Sequence, residues 1–307
     1  MKIIKPNFWS ENNIIVYILL PLTLITKVIN YFKKKNKKKF KPKIPTICVG
    51  NIYIGGTGKT QLVLKLNQFL KKKFKTYVIK KNYENQIDEQ MLIKKSSRLL
   101  LSYDRIDAIK KINKYKNTLA ILDDGLQDKS LKYKISIACF NSFTGVGNGR
   151  LLPAGPLRED LSELKNYNAV FINGSKNNKL IKEIKKHNKQ IKFFVGKYVL
   201  RNKKDFNKKT KYLAFCGIGT PESFFDLLRV NKINIKKKLF YPDHYNYKIS
   251  DIKKIKNISK KYNYQIVTTE KDFMKTKKFK FLYTKHTKVD LYIKEYSKFK
   301  KFIFENL

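Results

Sequence analysis

Between Ile44 and Thr60 the chain reads IPTICVGNIYIGGTGKT, and this stretch restricts the fold more than any other. Ile47, Cys48 and Val49 form a short apolar run that suits a buried strand. Gly55, Gly56 and Gly58 follow in a loop, and then come Lys59 and Thr60. Beyond them Leu62, Val63, Leu66, Phe69 and Leu70 recur at helical spacing on one face. A strand, a glycine-rich loop, Gly-Lys-Thr and a helix together make a cradle for a nucleoside triphosphate. Backbone N–H groups from Tyr53 and Ile54 through Gly55, Gly56 and Thr57 to Gly58 can approach phosphate, and the helix N-terminus adds partial positive charge. In such a loop Lys59 reaches the outer phosphates and the Thr60 hydroxyl holds Mg²⁺. The general pattern G-x-x-x-x-G-K-[ST] starts with glycine, whereas this chain has Tyr53 there.

Charge narrows the partners less than its size suggests. The 307 residues include 69 Lys+Arg against 23 Asp+Glu, a formal net charge of +46. That excess fits polyanionic neighbours such as nucleic acid, an anionic membrane face or a phosphorylated substrate. The abundance of Lys, Asn, Ile and Tyr fits an AT-rich coding bias equally well. Cys48, Cys139 and Cys216 each sit in an apolar run without paired spacing. That pattern predicts neither a disulfide nor a metal framework and suits a reducing compartment.

Residues 1–40 read as a membrane-associating segment. Ile14 to Thr26 is an uncharged stretch of thirteen residues containing Pro21, too short to span a bilayer. Trp9 and Tyr31 flank it, Tyr17 lies within it, and a Lys-rich run from Lys33 to Lys43 follows. The combination predicts a helix lying in the cytoplasmic membrane interface, with a buried N-terminal helix as the alternative. Residues 41–203 are expected to form the phosphate-loop core and residues 204–307 a smaller C-terminal lobe, with a polar hinge around Lys197 to Lys211.

Further strands are expected at Thr76–Ile79, Leu119–Leu122, Ile135–Phe140, Ala169–Ile172, Phe193–Val195, Leu213–Phe215 and Gln265–Thr268. Asp88 and Glu89 follow the first of these, either beside a ligand crevice or as solvated loop acids. The second runs into Asp123-Asp124-Gly125, the place where such folds put a Mg²⁺ ligand, or else an ordinary Asp-Gly turn. A loop from Gly145 to Asp160, stiffened by glycine and proline, carries Arg150 and Arg158 and suggests anion contacts. Thr220 and Pro221 open a helix. Asp243-His244 lies in a loop before another helix, which Ser250 is expected to cap. Strands alternating with helices on both sides of the hinge predict an α/β protein with mostly parallel sheets.

Taken together, PNFW, VGNIYIGGTGKT, LDDGLQ, GNGRLLPAGPLRE, FCGIGTPESFF, YPDHYNY and IVTTEKD run in order from Pro6 to Asp272 and resemble the tetraacyldisaccharide 4'-kinase family. The resemblance implies a P-loop kinase held peripherally on the cytoplasmic side of a bacterial inner membrane. Its cofactors would be ATP and Mg²⁺, its substrate a lipid A precursor, tetraacyldisaccharide 1-phosphate, and its product lipid IVA. It also implies roles by position. Lys59 and the Gly55–Gly58 backbone would hold phosphates, Thr60 Mg²⁺, and Asp123, Asp124 and Glu159 the metal and its network, with Gln127 nearby. Arg158 would face phosphate. Asp88 would act as general base on the sugar hydroxyl, paired with His244 from the opposite lobe, so that closure assembles the site. The chain departs from the family where S-R-G-Y-G is Lys80-Lys81-Asn82-Tyr83-Glu84, where G-D-E-P is Ile87-Asp88-Glu89-Gln90, and where His after L-Q is Asp128.

Three other classes fit less well, one of them a membrane-associated, non-enzymatic ATP-binding protein that only the altered Lys80–Gln90 region favours. A nucleic-acid-binding P-loop ATPase would not need the Ile14–Thr26 segment, so no nucleic-acid partner is expected. A GTPase would need Asn-Lys-x-Asp, and in Thr269-Glu270-Lys271-Asp272 the Lys and Asp are adjacent.

Overall fold

A computed structural model describes residues 6–35, 39–83, 86–279 and 284–307, with the side chains of 33–35 and 88 outside that description. Part of the expected polybasic run, at residues 36–38, therefore lies outside the described residues. The chain divides into two compact units. Among the described residues, one comprises those within 6–83, 93–197 and 293–307, and the other those within 86–92 and 198–292.

The first unit is built on β1 (Thr46–Gly50), β2 (Lys75–Lys81), β3 (Arg98–Ser102), β4 (Thr118–Asp123), β5 (Ile135–Asn141), β6 (Ala169–Asn173) and β7 (Lys192–Leu200). In the second unit lie β8 (Tyr212–Cys216), β9 (Ile235–Phe240), β10 (Gln265–Thr269) and β11 (Thr284–Thr287). The chain leaves the first unit within β7 and returns within β12 (Val289–Ile293). An eight-stranded sheet has the order β12-β7-β6-β5-β1-β4-β2-β3, and a four-stranded sheet the order β11-β10-β8-β9. Neighbours from β3 through to β7 are parallel, as are those of the smaller sheet. The α/β class and mostly parallel pairing expected from the alternating pattern are thus present.

Burial explains why some strands are plain in the sequence and others are not. Every residue of β1, β4, β5, β6 and β8 is buried, so these strands read as continuous apolar runs. β3 and β9 are edge strands, and β9 reads IKKKLF with its lysines exposed. Lysine on an edge discourages pairing with another chain, but it also hides the strand from a hydrophobicity pattern.

The helices are α1 (Ile14–Leu19), α2 (Thr23–Lys35), α3 (Lys59–Leu70), α4 (Ile87–Lys94), α5 (Arg105–Ile112), α6 (Asn178–His187), α7 (Pro221–Val230), α8 (Ile249–Tyr262), α9 (Glu270–Thr276) and α10 (Tyr296–Glu305). The single N-terminal helix expected over Ile14–Thr26 is two helices, with Pro21 in the break between them. Proline lacks the N–H that a continuing helix needs and clashes with the preceding turn. Ser250 does not cap α8. The helix begins one residue before it, and Asp251 accepts from the Lys248 N–H at 2.8 Å.

The end of the chain also differs from the expected lobe boundary. Residues 293–307 belong with the first unit rather than with a lobe spanning 204–307. Aromatic packing is the physical reason. Phe299 on α10 lies with its ring centroid 6.3 Å from Phe69 on α3 and 4.9 Å from Phe194 on β7, both edge-on. Phe299 itself is fully buried. Replacing it by Ala removes this junction and is expected to cost about 3–5 kcal/mol. Trp9, the only tryptophan, is buried in the same unit, so its fluorescence during denaturant unfolding reads the loss directly.

Candidate active site

β1 ends at Gly50 and α3 starts at Lys59, with the phosphate loop between them. Gly55 and Gly58 have φ of 88° and 87°. These left-handed conformations cost a side chain 1–2 kcal/mol or so, which accounts for glycine at both places. Tyr53 occupies the position of the missing first glycine and is buried. It is bridged antiparallel to Leu157, and Ile54 donates its N–H to the Pro156 carbonyl at 2.9 Å. Arg158 donates its N–H to the Ile52 carbonyl at 2.7 Å. The Gly145–Asp160 loop therefore braces the phosphate loop with backbone hydrogen bonds, where the general motif relies on glycine flexibility.

Asn51 completes the brace, although nothing in the sequence reading singled it out. It is fully buried, and its amide donates to the Tyr53 carbonyl and, at 3.2 Å, to the Gly55 carbonyl. Its side-chain oxygen accepts from Arg158 Nη1 at 2.8 Å. The signal available was its position, a polar residue directly after an apolar strand.

Beside this loop stands the Asp123–Asp124 pair at the end of β4. Asp124 has φ of 60°, unusual for a residue with a side chain. Arg105 Nη2 donates to its carbonyl at 2.7 Å, and Arg105 Nη1 lies 3.2 Å from Asp128. The Asp124 carboxylate accepts from Arg158 Nη1 at 2.9 and 3.2 Å and lies 3.7 Å from Lys59 Nζ. Burial alone would push its pKa up, but the Lys59 and Arg158 charges outweigh burial and hold it below the usual carboxylate range. Asp123 is buried and paired through Oδ2 with Lys80 Nζ at 2.7 Å, while its Oδ1 has no hydrogen-bond partner among the described residues. The Thr57 hydroxyl is also buried without a partner among the described residues.

These orphaned oxygens bear on the expected Mg²⁺. The hydroxyl of Thr60 and Oδ1 of Asp123 are hard oxygen donors that suit Mg²⁺, which commonly takes one or two protein oxygens and completes its shell with phosphates and water. No cluster of three or more His, Cys, Asp or Glu side chains among the described residues would hold a metal without such help. Glu159 fits the metal role poorly. Its carboxylate accepts from Tyr167 at 2.8 Å and from Gln127 Nε2 at 2.9 Å, and pairs with Lys129 at 2.8 Å. A carboxylate so occupied braces the scaffold, and Gln127 carries that brace to the Asn51 carbonyl at 3.0 Å. Asp124 is likewise held by cations.

A second cluster lies in the other unit. His244 has φ of 55°, and its Nε2 is 3.9 Å from Glu89 Oε1 and 3.8 Å from Asp243 Oδ1. Lys271 Nζ pairs with the same Glu89 oxygen at 2.6 Å. Asp88, the expected base, lies on α4, and its side chain is outside the described residues. Residues 86–92 group with the described residues of 198–292, so Asp88 and His244 belong to one unit rather than to opposite lobes. Anchoring of Glu89 by Lys271 is the physical reason. Lys271 was legible as part of TTEKD, but its ion-pair partner was not.

The depressed Asp124 pKa has a sign that can be checked. A carboxyl whose folded pKa is lowered adds stability above its unfolded value, about 3.9, and loses it as pH falls through the folded value. The stability difference between wild type and Asp124→Asn is therefore expected to be largest above about pH 5 and to shrink below it. Urea unfolding across that range measures it.

The comparisons with known proteins agree with this geometry. The family model LpxK, tetraacyldisaccharide-1-P 4'-kinase, matches residues 15–98 and 81–307. A tetraacyldisaccharide 4'-kinase of Pelagibacter ubique is 45% identical over 281 residues, covering 90% of this chain and 89% of the relative. One from Rickettsia akari is 33% identical over 294 residues, with the same coverage of 90% and 89%. Among solved structures, LpxK from Aquifex aeolicus in complex with ATP superposes with a TM-score of 0.69 at 23% identity, covering 95% of this chain and 99% of that one. With the phosphate loop formed, Asp123 and Asp124 beside it and nearly the whole length matched, the chain belongs to the tetraacyldisaccharide-1-P 4'-kinase family.

Proposed function

We propose that this protein transfers the γ-phosphoryl of ATP to the 4'-hydroxyl of tetraacyldisaccharide 1-phosphate, giving lipid IVA in lipid A biosynthesis. The observation that carries the reading is the phosphate loop with Lys59 beside Asp124 and Arg158, in a chain of this family. Backbone N–H groups of Gly55–Gly58 and the Lys59 ammonium bind the β- and γ-phosphates. On nucleotide binding Lys59 exchanges one anion, Asp124, for another. Arg158 and Arg105 keep Asp124 in place during that exchange. Thr60 and Asp123 Oδ1 would hold Mg²⁺, which supplies charge neutralisation to the transferring phosphoryl group. Asp88 serves as base for the sugar hydroxyl, supported by its position next to Glu89, which lies beside His244. Transfer depends mainly on alignment and charge neutralisation, so the base contributes less than Lys59.

The protein works from the cytoplasmic face of an inner membrane as a peripheral protein. Support comes from α1 and α2. Ile14, Ile18 and Ile25 are 71%, 67% and 58% exposed. On α2 the exposed Leu24, Ile25, Val28, Ile29 and Phe32 recur at i, i+1, i+4, i+5 and i+8, a single apolar face. No helix among the described residues is long and apolar enough to cross a membrane. Thr26 and Asn30, four residues apart, donate to the carbonyls of Leu152 (2.7 Å) and Arg158 (3.1 Å).

Two measurements test these readings. Lys59→Ala should lower transfer of radiolabelled γ-phosphate to the disaccharide in mixed micelles by about a hundredfold or more. Wild-type turnover from that variant would refute the reading. Changing Ile14, Ile18 and Ile25 together to Ser should weaken flotation with anionic vesicles by about a hundredfold. Unaltered flotation would place membrane binding elsewhere. Deleting α1 and α2 is a poorer test, because it also removes the hydrogen bonds to the Leu152–Arg158 loop.

A further inference from the structure

Among the described residues Lys80 is the one buried lysine, only 3% exposed. A coding bias toward lysine can fill a surface, where the side chain costs little. It does not account for an ammonium inside a sheet, which is costly unless an anion meets it. Lys80 follows Tyr77, Val78 and Ile79 on β2, and its register partner on β4 is Asp123. Asp123 is in turn in register with Val49 on β1, the strand that leads into the phosphate loop. Lys80 Nζ takes one carboxylate oxygen of Asp123 at 2.7 Å and leaves the other without a partner among the described residues. Its charge also reaches Asp124.

We propose that Lys80 is a built-in cation that neutralises Asp123 and thereby weakens the affinity of this site for a divalent ion. The proposal rests on the reading of Thr60 and Asp123 as the metal-holding residues. Two cations on one carboxylate repel. A dication at Oδ1 meets an ammonium already seated on Oδ2, in surroundings where charges are poorly screened. Without Lys80 the carboxylate offers its full charge to the ion. With it, Asp123 never stands as a bare buried anion when no ion is present, so the site stays assembled between turnovers.

The test uses the full chain, with Mn²⁺ as the metal and ADP as the nucleotide. Free Mn²⁺ is followed by electron paramagnetic resonance, and ADP binding without metal is measured separately by calorimetry. Lys80→Met removes the charge at similar length, and Lys80→Gln keeps a donor for Oδ2 should the Met variant not fold. Either is expected to bind Mn²⁺ in the presence of ADP about tenfold tighter than wild type or more. Lys80→Arg, which keeps the charge, should bind no tighter than wild type, and Asp123→Asn should lose the Mn²⁺ site. Unchanged or weaker Mn²⁺ affinity in the folded Met or Gln variant would overturn the proposal, as would Mn²⁺ retained by Asp123→Asn. If wild type bound no ADP at all, the nucleotide-site reading beneath it would fall instead.

Discussion

Asp124 joins three parts of the core that are far apart in sequence, two through its carboxylate and one, Arg105, through its backbone carbonyl. Lys59 comes from the start of α3, Arg158 from the loop after β5, and Arg105 from the start of α5. Each alone would be a modest ion pair or hydrogen bond. Together they hold a non-glycine residue in a left-handed conformation and keep two cations within reach of the phosphate loop. The lowered pKa of Asp124 follows from that crowding, since only the ionised carboxylate satisfies both partners. The site thus already contains the charge arrangement that a polyphosphate would meet, which limits the reorganisation needed when it binds.

Much of the core was legible in the sequence because burial and function coincide there. The strand before the phosphate loop, the helix after it and the Asp123–Asp124 turn combine apolar runs with residues whose chemistry is unmistakable. The site's supporting residues were harder to read. Asn51, Arg105 and Lys80 act through partners 107, 19 and 43 positions away, and no local pattern encodes such distances. Glu159 was read as a ligand from the resemblance, yet Tyr167, Gln127 and Lys129 occupy it, a fact of packing rather than of spacing. The lysine-rich edge strand β9 escaped for another reason, since solvent on one side removes the apolar run by which a strand is recognised.

Lysine content has different meanings in different places. On β9 and the outer faces of helices it is solvated and consistent with composition alone. On β2 a single lysine is sealed in a sheet against an aspartate. Near the N-terminus lysines follow helices whose apolar side chains face outward, a pairing that suits an anionic bilayer surface. Net charge does not separate these cases. Burial and partners do.

The path of the chain has a consequence for synthesis. Residues 198–292 are made in full before α10, yet α10 packs its aromatic face on α3, the helix that follows the phosphate loop. The nucleotide-binding unit therefore cannot close its core on the ribosome in the order in which it is begun. Phe69 must wait, uncovered, while a whole second unit is translated, and that unit can fold first although it is encoded later. Long-range closure of this kind slows folding, and it makes the interval before α10 emerges the period when the nascent kinase is most open to aggregation.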